Sequence, residues 1–210
     1  MSNERTRPDP TGPAPARPGD DPDQTLLDLI RDGDEQAYGV LLDRHLERIH
    51  ALAQRMLGNA ADAEEVAQDA FLRAWQQIPN WQPGTAKFST WLHRVAMNLC
   101  HDALRRRRDS RPVEDIQPVS GEPGPEQLAR RQDRSGRVQA ALATLPERQR
   151  EALVLSHYQE LSQREAAAVL EISEEALESL LARGRRALRA ALAEELEDLQ
   201  GKGDGHRHGI

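Results

Sequence analysis

The residues of this chain that could do acid–base, nucleophilic or metal chemistry are seven histidines, one cysteine and thirty-five carboxylates. Their spacing assembles no catalytic set. His45, His50, His93, His101, His157, His206 and His208 are scattered. The chain has no H-E-x-x-H pair, no Walker loop and no G-x-S-x-G elbow. His206 and His208 sit in a Gly-rich tail, which does not argue for a metal site. Cys100 adjoins Leu99 in a helical pattern, where packing is the simpler role. No metal and no cofactor is expected, and an enzyme is the most remote reading.

Binding chemistry is better served. One basic run, Arg105 to Arg108 with Arg111 beyond, follows Trp81, Phe88 and Trp91. Rings beside positive charge suit single-stranded nucleic acid, because bases stack on rings and the backbone follows cations. The plain alternative is that Phe88 and Trp91 are core residues. Trp81, in a Pro/Gly loop, is harder to explain that way. A second basic run is Arg183, Arg185, Arg186 and Arg189. Arginines there can hold phosphates or guanine edges, or they can stay solvated near the end of a helix and favour its dipole.

The elements that must carry these residues are helices. Aromatics make up 3% of the 210 residues, and much of the 38% apolar content is Ala and Leu. The expected fold is all-α. Residues 1–22, rich in Pro, Asp, Arg and Gly, cannot bury a core and read as a disordered tail. A short helix is expected over Gln24 to Arg31, ended by Gly33. The next runs from Glu35 to Leu57, capped by Asp34 and stopped by Gly58. Its stripe includes Ala37, Tyr38, Leu41, Leu42, Ile49, Leu52, Ala53 and Met56.

Asn59 caps a third helix through Gln77. Its stripe is Val66, Ala67, Ala70, Phe71, Ala74, Trp75 and Ile78, and its other face carries Asp62, Glu65, Gln68 and Asp69. Pro79 to Lys87 is a loop. A fourth helix covers about Ser89 to Arg107.

Residues 111–126 hold four prolines and two glycines and read as a flexible linker. Two small helical domains are therefore expected, over 23–110 and 127–195, with a tail over 196–210. In the second, helices cover Arg134 to Thr144 and Glu147 to Tyr158. Ser162 opens a capping box with Glu165, and Ser173 caps a long last helix. Ala166, Leu170, Ile172, Leu177 and Leu180 fall where a helix-turn-helix needs apolar contacts, with the small Ala167 at the crossing. The same pattern serves an ordinary αα-hairpin. Glu171 stands where the turn commonly has glycine.

Charge and cysteine set further limits. The net charge is −7, so DNA binding by this chain alone should be weak. The acid is concentrated at Asp20 to Asp23, at Asp62 to Asp69 and at Glu194 to Asp198. The single cysteine excludes an internal disulfide and suits a reducing cytosol. No apolar run approaches the length of a membrane span. The expected location is cytoplasmic.

Two motif blocks resemble a known family. Asp62 to Trp75 (DAEEVAQDAFLRAW) and Phe88 to Asn98 (FSTWLHRVAMN), followed by the arginine run, resemble region two of extracytoplasmic-function sigma factors of the sigma-70 family. Leu145 to Arg150 (LPERQR) and Leu161 through Arg186 resemble region four. The resemblance implies a bacterial sigma factor that binds core RNA polymerase and directs promoter-specific transcription initiation under a dedicated anti-sigma factor, in a stress or envelope response.

It also implies roles for particular residues. Asp62, Glu65, Gln68 and Asp69 would dock on the β′ clamp helices, and region four would meet the β flap. Asn80, Trp81, Lys87, Phe88, Trp91, Arg94, Asn98, Arg105 and Arg106 would read and open the minus-ten element. Ser162, Gln163, Arg164, Ser173, Glu178, Ser179, Ala182, Arg183 and Arg186 would meet the minus-thirty-five element. The acidic start of the last helix, Glu174, Glu175 and Glu178, departs from what phosphates favour. Two rival readings share parts of the pattern. One is a stand-alone helix-turn-helix regulator, and the other is an adaptor that mimics a sigma factor.

Overall fold

A computed structural model describes residues 21–82, 86–109, 136–159 and 161–204. The N-terminal tail, the linker at 111–126, the start of the expected helix at Arg134 and the histidines of the C-terminal tail lie outside those residues. Every regular element among the described residues is helical. α1 is Gln24–Arg31, α2 Glu35–Leu57, α3 Ala60–Gln77 and α4 Phe88–Asp109, with a short 3₁₀ turn at Ile78–Asn80. α5 covers residues 136–144. α6 is Glu147–Tyr158, α7 Gln163–Leu170 and α8 Glu174–Asp204.

Local chemistry sets the boundaries. The Asp34 carboxylate accepts from the Gln36 and Ala37 amides at 2.9 and 3.1 Å, and opens α2. Gly58 closes it with φ +66°, a left-handed conformation that a side chain would strain. The Asn59 side chain accepts from Asp62 N at 3.1 Å and opens α3. Ser162 and Glu165 form the reciprocal box at the start of α7.

α2, α3 and α4 pack into the first unit around Leu41, Ile49, Leu52, Met56, Phe71, Phe88, Leu92 and Met97, all buried. α1 closes one end with Leu27. The second unit wraps α5 to α8 around Leu142, Leu153, Leu155, Ala166 and Leu177. At the crossing of α6 and α8 a Cβ on Gly184 would stand 3.1 Å from the Leu153 side chain and 3.2 Å from the Gln149 carbonyl. Only a hydrogen fits there without movement.

Two sequence expectations need correction. The helical stripe of α3 includes Trp75 among its buried residues, but Trp75 is 45% exposed and stacks edge-on against Tyr38, with ring centroids 4.7 Å apart. It lies at the margin of the stripe, and Tyr38, whose hydroxyl donates to the Phe71 carbonyl at 2.7 Å, covers one face of it. The acid-rich stretch ending at Asp23 reads in sequence as a charged patch. Asp21 instead accepts from the Phe88 amide at 2.6 Å and so caps α4. Asp23 is wholly buried, with Arg44 at 2.6 Å and His45 at 2.8 Å. Burial alone would push the Asp23 carboxyl up. The hydrogen bonds and charges of His45 and Arg44 outweigh it and hold the group below its ordinary value.

Candidate nucleic-acid and protein-docking surfaces

Three surfaces follow from the fold. The first is on α3. Gln68 is exposed and Asp69 half-buried. Asp62 and Glu65, placed beside them by sequence, are instead engaged by the arginine run of α4. Arg107 bonds the Asp62 carboxylate and also donates to the Leu57 carbonyl at 2.9 Å, and Arg106 lies 3.6 Å from Glu65. Part of the basic run therefore neutralises the acidic face of α3. Next to Gln68 runs a groove of about 630 Å³ between α2 and α3. Leu42, Leu46 and Phe71 line it, and Asp43, Glu47 and Glu64 supply its acid. Sequence reasoning missed the groove, because its two walls come from different helices.

The second surface is the N-terminal half of α4 with the preceding loop. Trp81, Phe88 and Trp91 form one aromatic cluster, with centroids 5.4 to 5.6 Å apart. Phe88 is completely buried, so no base can reach its ring. Its part is to seat the other two rings, and the expectation that it contacts bases is corrected accordingly. Trp81 is half-buried, and its Nε1 is enclosed with no hydrogen-bond partner among the described residues. Arg31 holds the loop by donating to the Trp81 carbonyl at 2.8 Å. Trp91 and Arg94 are half-buried, and Asn80 and Asn98 are exposed. Arg105 is exposed and pairs with Asp102 at 2.8 Å.

The third surface is the helix pair α7–α8. Ala166, Ala167, Leu170 and Leu177 are buried between the helices, with Ile172 and Leu180 half-buried, which is the expected helix-turn-helix packing. Glu171 makes the turn in the left-handed region at φ 57°. Ser162, Gln163, Arg164, Ser173, Glu178, Ser179, Ala182, Arg183 and Arg186 are all exposed. The Ser173 hydroxyl accepts from Ala176 N at 3.2 Å. Arg183 donates to the Ser179 carbonyl of its own helix at 3.2 Å, one turn back.

The two units touch through polar side chains that no local sequence pattern announces. Lys87 Nζ is 2.9 Å from Glu165, and Arg94 is 3.2 Å from Glu171. Arg94 also donates to the Ala168 carbonyl at 2.5 Å. The His101 Nε2 lies 2.8 Å from the buried Glu151 carboxylate. His93 donates from Nδ1 to the Ser89 carbonyl, and its Nε2 is 3.2 Å from the Gln159 amide. The atom facing Nε2 is the Gln159 side-chain oxygen, and burial holds the His93 imidazole below its ordinary value.

His101, Glu147 and Glu151 bring potential ligand atoms within 4.8 Å of one another. Arg108 holds Glu147 at 2.5 Å, however, and Arg148 holds Glu151 at 3.0 Å. With two arginines paired to its two carboxylates, the cluster is an ion-pair knot. Cys100 is buried, and its thiol is pushed up to about 12, chiefly by burial. It is inert packing. Among the described residues no helix is long and apolar enough to cross a membrane.

Comparison with known proteins gives a consistent result. The Sigma-70 region 2 profile matches residues 41–110, and the Sigma-70, region 4 profile matches 135–188. The chain is 38% identical over 183 residues to the ECF RNA polymerase sigma factor SigE of Mycolicibacterium smegmatis, covering 84% of this chain and 70% of that protein. It is 32% identical over 176 residues to ECF RNA polymerase sigma factor SigW of Bacillus subtilis, covering 78% of this chain and 92% of that one. Among solved structures, CnrH in complex with the cytosolic domain of CnrY superposes with a TM-score of 0.61 at 27% identity, covering 82% of this chain and 97% of that one.

Proposed function

We propose how the work is divided within this chain, which belongs to the extracytoplasmic-function RNA polymerase sigma factors of the sigma-70 family. As a sigma factor it binds core RNA polymerase and directs transcription initiation at particular promoters. The first domain, over 23–110, docks on the β′ clamp helices through Gln68, Asp69 and the adjoining groove. An acid-lined apolar groove suits an amphipathic helix with basic flanks. The second domain, over 127–195, meets the β flap and the minus-thirty-five element.

Trp81, Trp91, Lys87, Arg94 and Asn98 open and read the minus-ten element. The rings offer stacking faces, and the cations follow the strand. The exposed face of α8 enters the major groove of the upstream element. Arg183 reaches base edges there, and Arg186 holds phosphate. CnrH, similar in fold, was solved with the cytosolic domain of a second protein. A dedicated anti-sigma partner is the corresponding expectation here, in the cytoplasm.

The observation that carries this reading is the exposed α8 face on a helix-turn-helix unit, joined in one chain to a separate unit bearing an aromatic–basic helix. A stand-alone regulator has no use for the first unit. Run-off transcription with core polymerase on a genomic promoter library tests it. Defined start sites that depend on this protein are expected. Promoter binding without transcripts would favour the regulator, and neither binding nor transcripts would favour the adaptor.

A further inference from the structure

The first turn of α4 carries Phe88 and Trp91, and its amides have no partner within the helix. Lys87 takes the capping position, since its carbonyl accepts from the Trp91 amide at 3.1 Å. A lysine side chain has no acceptor to offer those amides. The acceptor comes instead from 67 residues away. Asp21 Oδ2 accepts from the Phe88 amide at 2.6 Å, and Asp21 Oδ1 accepts from the Asp23 amide at 3.0 Å. One oxygen thus serves α4, and the other serves the chain that leads into α1.

The far end of α1 makes the matching contact. Arg31 donates to the Trp81 carbonyl at 2.8 Å, and Asp28, one turn back, holds the same guanidinium at 2.8 Å. Trp81 and Phe88 flank the segment that joins the 3₁₀ turn to α4. The two ends of α1 therefore grip the chain on either side of that segment. The grip has a firm base. Leu27 is wholly buried, and Asp23 ties the start of α1 to Arg44 and His45 of α2. Arg44 also donates to the Pro22 carbonyl at 3.1 Å. The Trp81 indole adds no anchor of its own, because its Nε1 has no hydrogen-bond partner among the described residues. Phe88 places its ring, with centroids 5.4 Å apart, and Arg31 places its backbone.

We propose that Asp21 and Arg31 are positioning residues for strand opening: through the Phe88 amide and the Trp81 carbonyl they make α1 a brace that holds the Trp81–Trp91 platform ready for an unstacked base. The inference rests on the minus-ten role given above to Trp81 and Trp91. Neither Asp21 nor Arg31 touches DNA in it. A platform that must be ordered as the base arrives loses affinity to that ordering, and a platform ordered beforehand does not. The brace removes this cost from the melting step. Docking through Gln68 and Asp69 on α3, and upstream reading by the exposed face of α8, lie on other elements and do not need it.

The test uses the full-length protein assembled with core polymerase on a promoter identified by run-off. Kinetics of open-complex formation separate initial binding from isomerisation. Asp21→Ala and Arg31→Ala, made singly, should each slow isomerisation roughly 5-fold, the scale of losing one helix cap, and should leave the initial binding constant as in the parent. Asp21→Asn keeps an acceptor for the Phe88 amide and should restore the parental rate, because asparagine caps as well as aspartate. Arg31→Ala should leave unchanged the salt dependence of binding to the non-template single strand.

Parental isomerisation in both alanine variants would overturn the proposal. An Asp21→Asn variant as slow as Asp21→Ala would do the same, since the effect would then follow the charge and not the bond. A flattened salt dependence in Arg31→Ala would make Arg31 a phosphate contact and not a brace. Initial binding that falls along with the rate in both alanine variants would reduce the two residues to general stability, which also counts against it. Trp91→Ala checks the reading underneath. An unimpaired Trp91→Ala removes the minus-ten role itself, whereas a slow Trp91→Ala beside unimpaired Asp21→Ala and Arg31→Ala sinks the brace alone. A parent that opens no promoter with core polymerase sinks the sigma-factor reading and the brace with it.

Discussion

α4 and α8 each carry a basic run, yet the fold treats them differently. α8 belongs to the four-helix second unit, which buries one side of it, through Leu177, Leu181 and Gly184, and leaves the other to solvent. α4 is central. α2 and α3 pack on it, its arginine run is drawn onto α3, and α7 leans on its N-terminal half. A basic stretch is therefore a poor guide to a free basic surface. On α8 the arginines lie where DNA can reach them. On α4 Arg106 and Arg107 hold the first unit together, and Arg94 is bonded to Glu171 and the Ala168 carbonyl.

The sharpest way to break this comparison is to destabilise one unit and watch the other. Asp23→Ala removes the buried acceptor of His45 and Arg44 and should cost the first unit about 3 kcal/mol. In two-probe thermal unfolding the transition of the second unit should stay in place. If both transitions fall together, the units are one cooperative body and the distinction drawn between α4 and α8 loses its basis.

Gly184→Ala is the reciprocal change. The new methyl meets a backbone carbonyl as well as Leu153, so the helices must shift, at a cost of about 1–3 kcal/mol confined to the second unit. Amide exchange should accelerate in α6 and α8 and not in α2 or α3.

Next come the exposed residues of α8. Arg183→Ala should lose roughly 1–3 kcal/mol on its preferred promoter and relax choice at one base pair. Arg186→Ala should weaken all sequences alike and flatten the salt dependence. Glu178 decides the meaning of the acidic helix start. If it accepts from a base, Glu178→Ala shifts preference at one position, and if it only repels phosphate, binding to every sequence tightens. Promoter-library output for the three variants distinguishes these outcomes. No change in any of them would remove α8 from DNA reading.

The smallest expected effect is on acid stability. A carboxyl whose folded value lies below its unfolded one stabilises the fold above the unfolded value, and that contribution is lost as pH falls through the folded value. Asp23 is such a group, so acid should weaken the first unit in the range below an ordinary aspartate's titration. Asp23→Asn should flatten that part of the stability profile. An unchanged profile would mean that another group governs acid unfolding.

Much of the architecture was legible because it is local. Asp34, Asn59, Ser162 and Ser173 announce helix starts through side-chain chemistry that acts within three residues, and Gly58 announces a stop. The exposed face of α8 was legible too, since a one-sided helix carries its own periodicity. Other features depend on pairs far apart in the chain. Phe88 looks like a stacking residue in sequence, because a sequence does not say which ring of a cluster lies innermost. Asp23 looks like surface charge, because its partner His45 is on another helix. Gly184 stands unmarked within a basic run, although α8 crosses close to α6 there. The pairs Lys87–Glu165 and Arg94–Glu171 join elements on opposite sides of the linker, and no spacing rule reaches that far.

The aromatic cluster has an optical consequence. Trp81 and Trp91 stand with ring centroids 5.6 Å apart and planes inclined at 63°, close enough for their electronic transitions to couple. The third tryptophan, Trp75, lies on a different helix against Tyr38. Two of the three indole chromophores therefore sit at the surface assigned to promoter melting. Near-ultraviolet circular dichroism of the unlabelled protein should carry a signature of that pair, and a base inserted beside Trp91 should alter it without any dye attached.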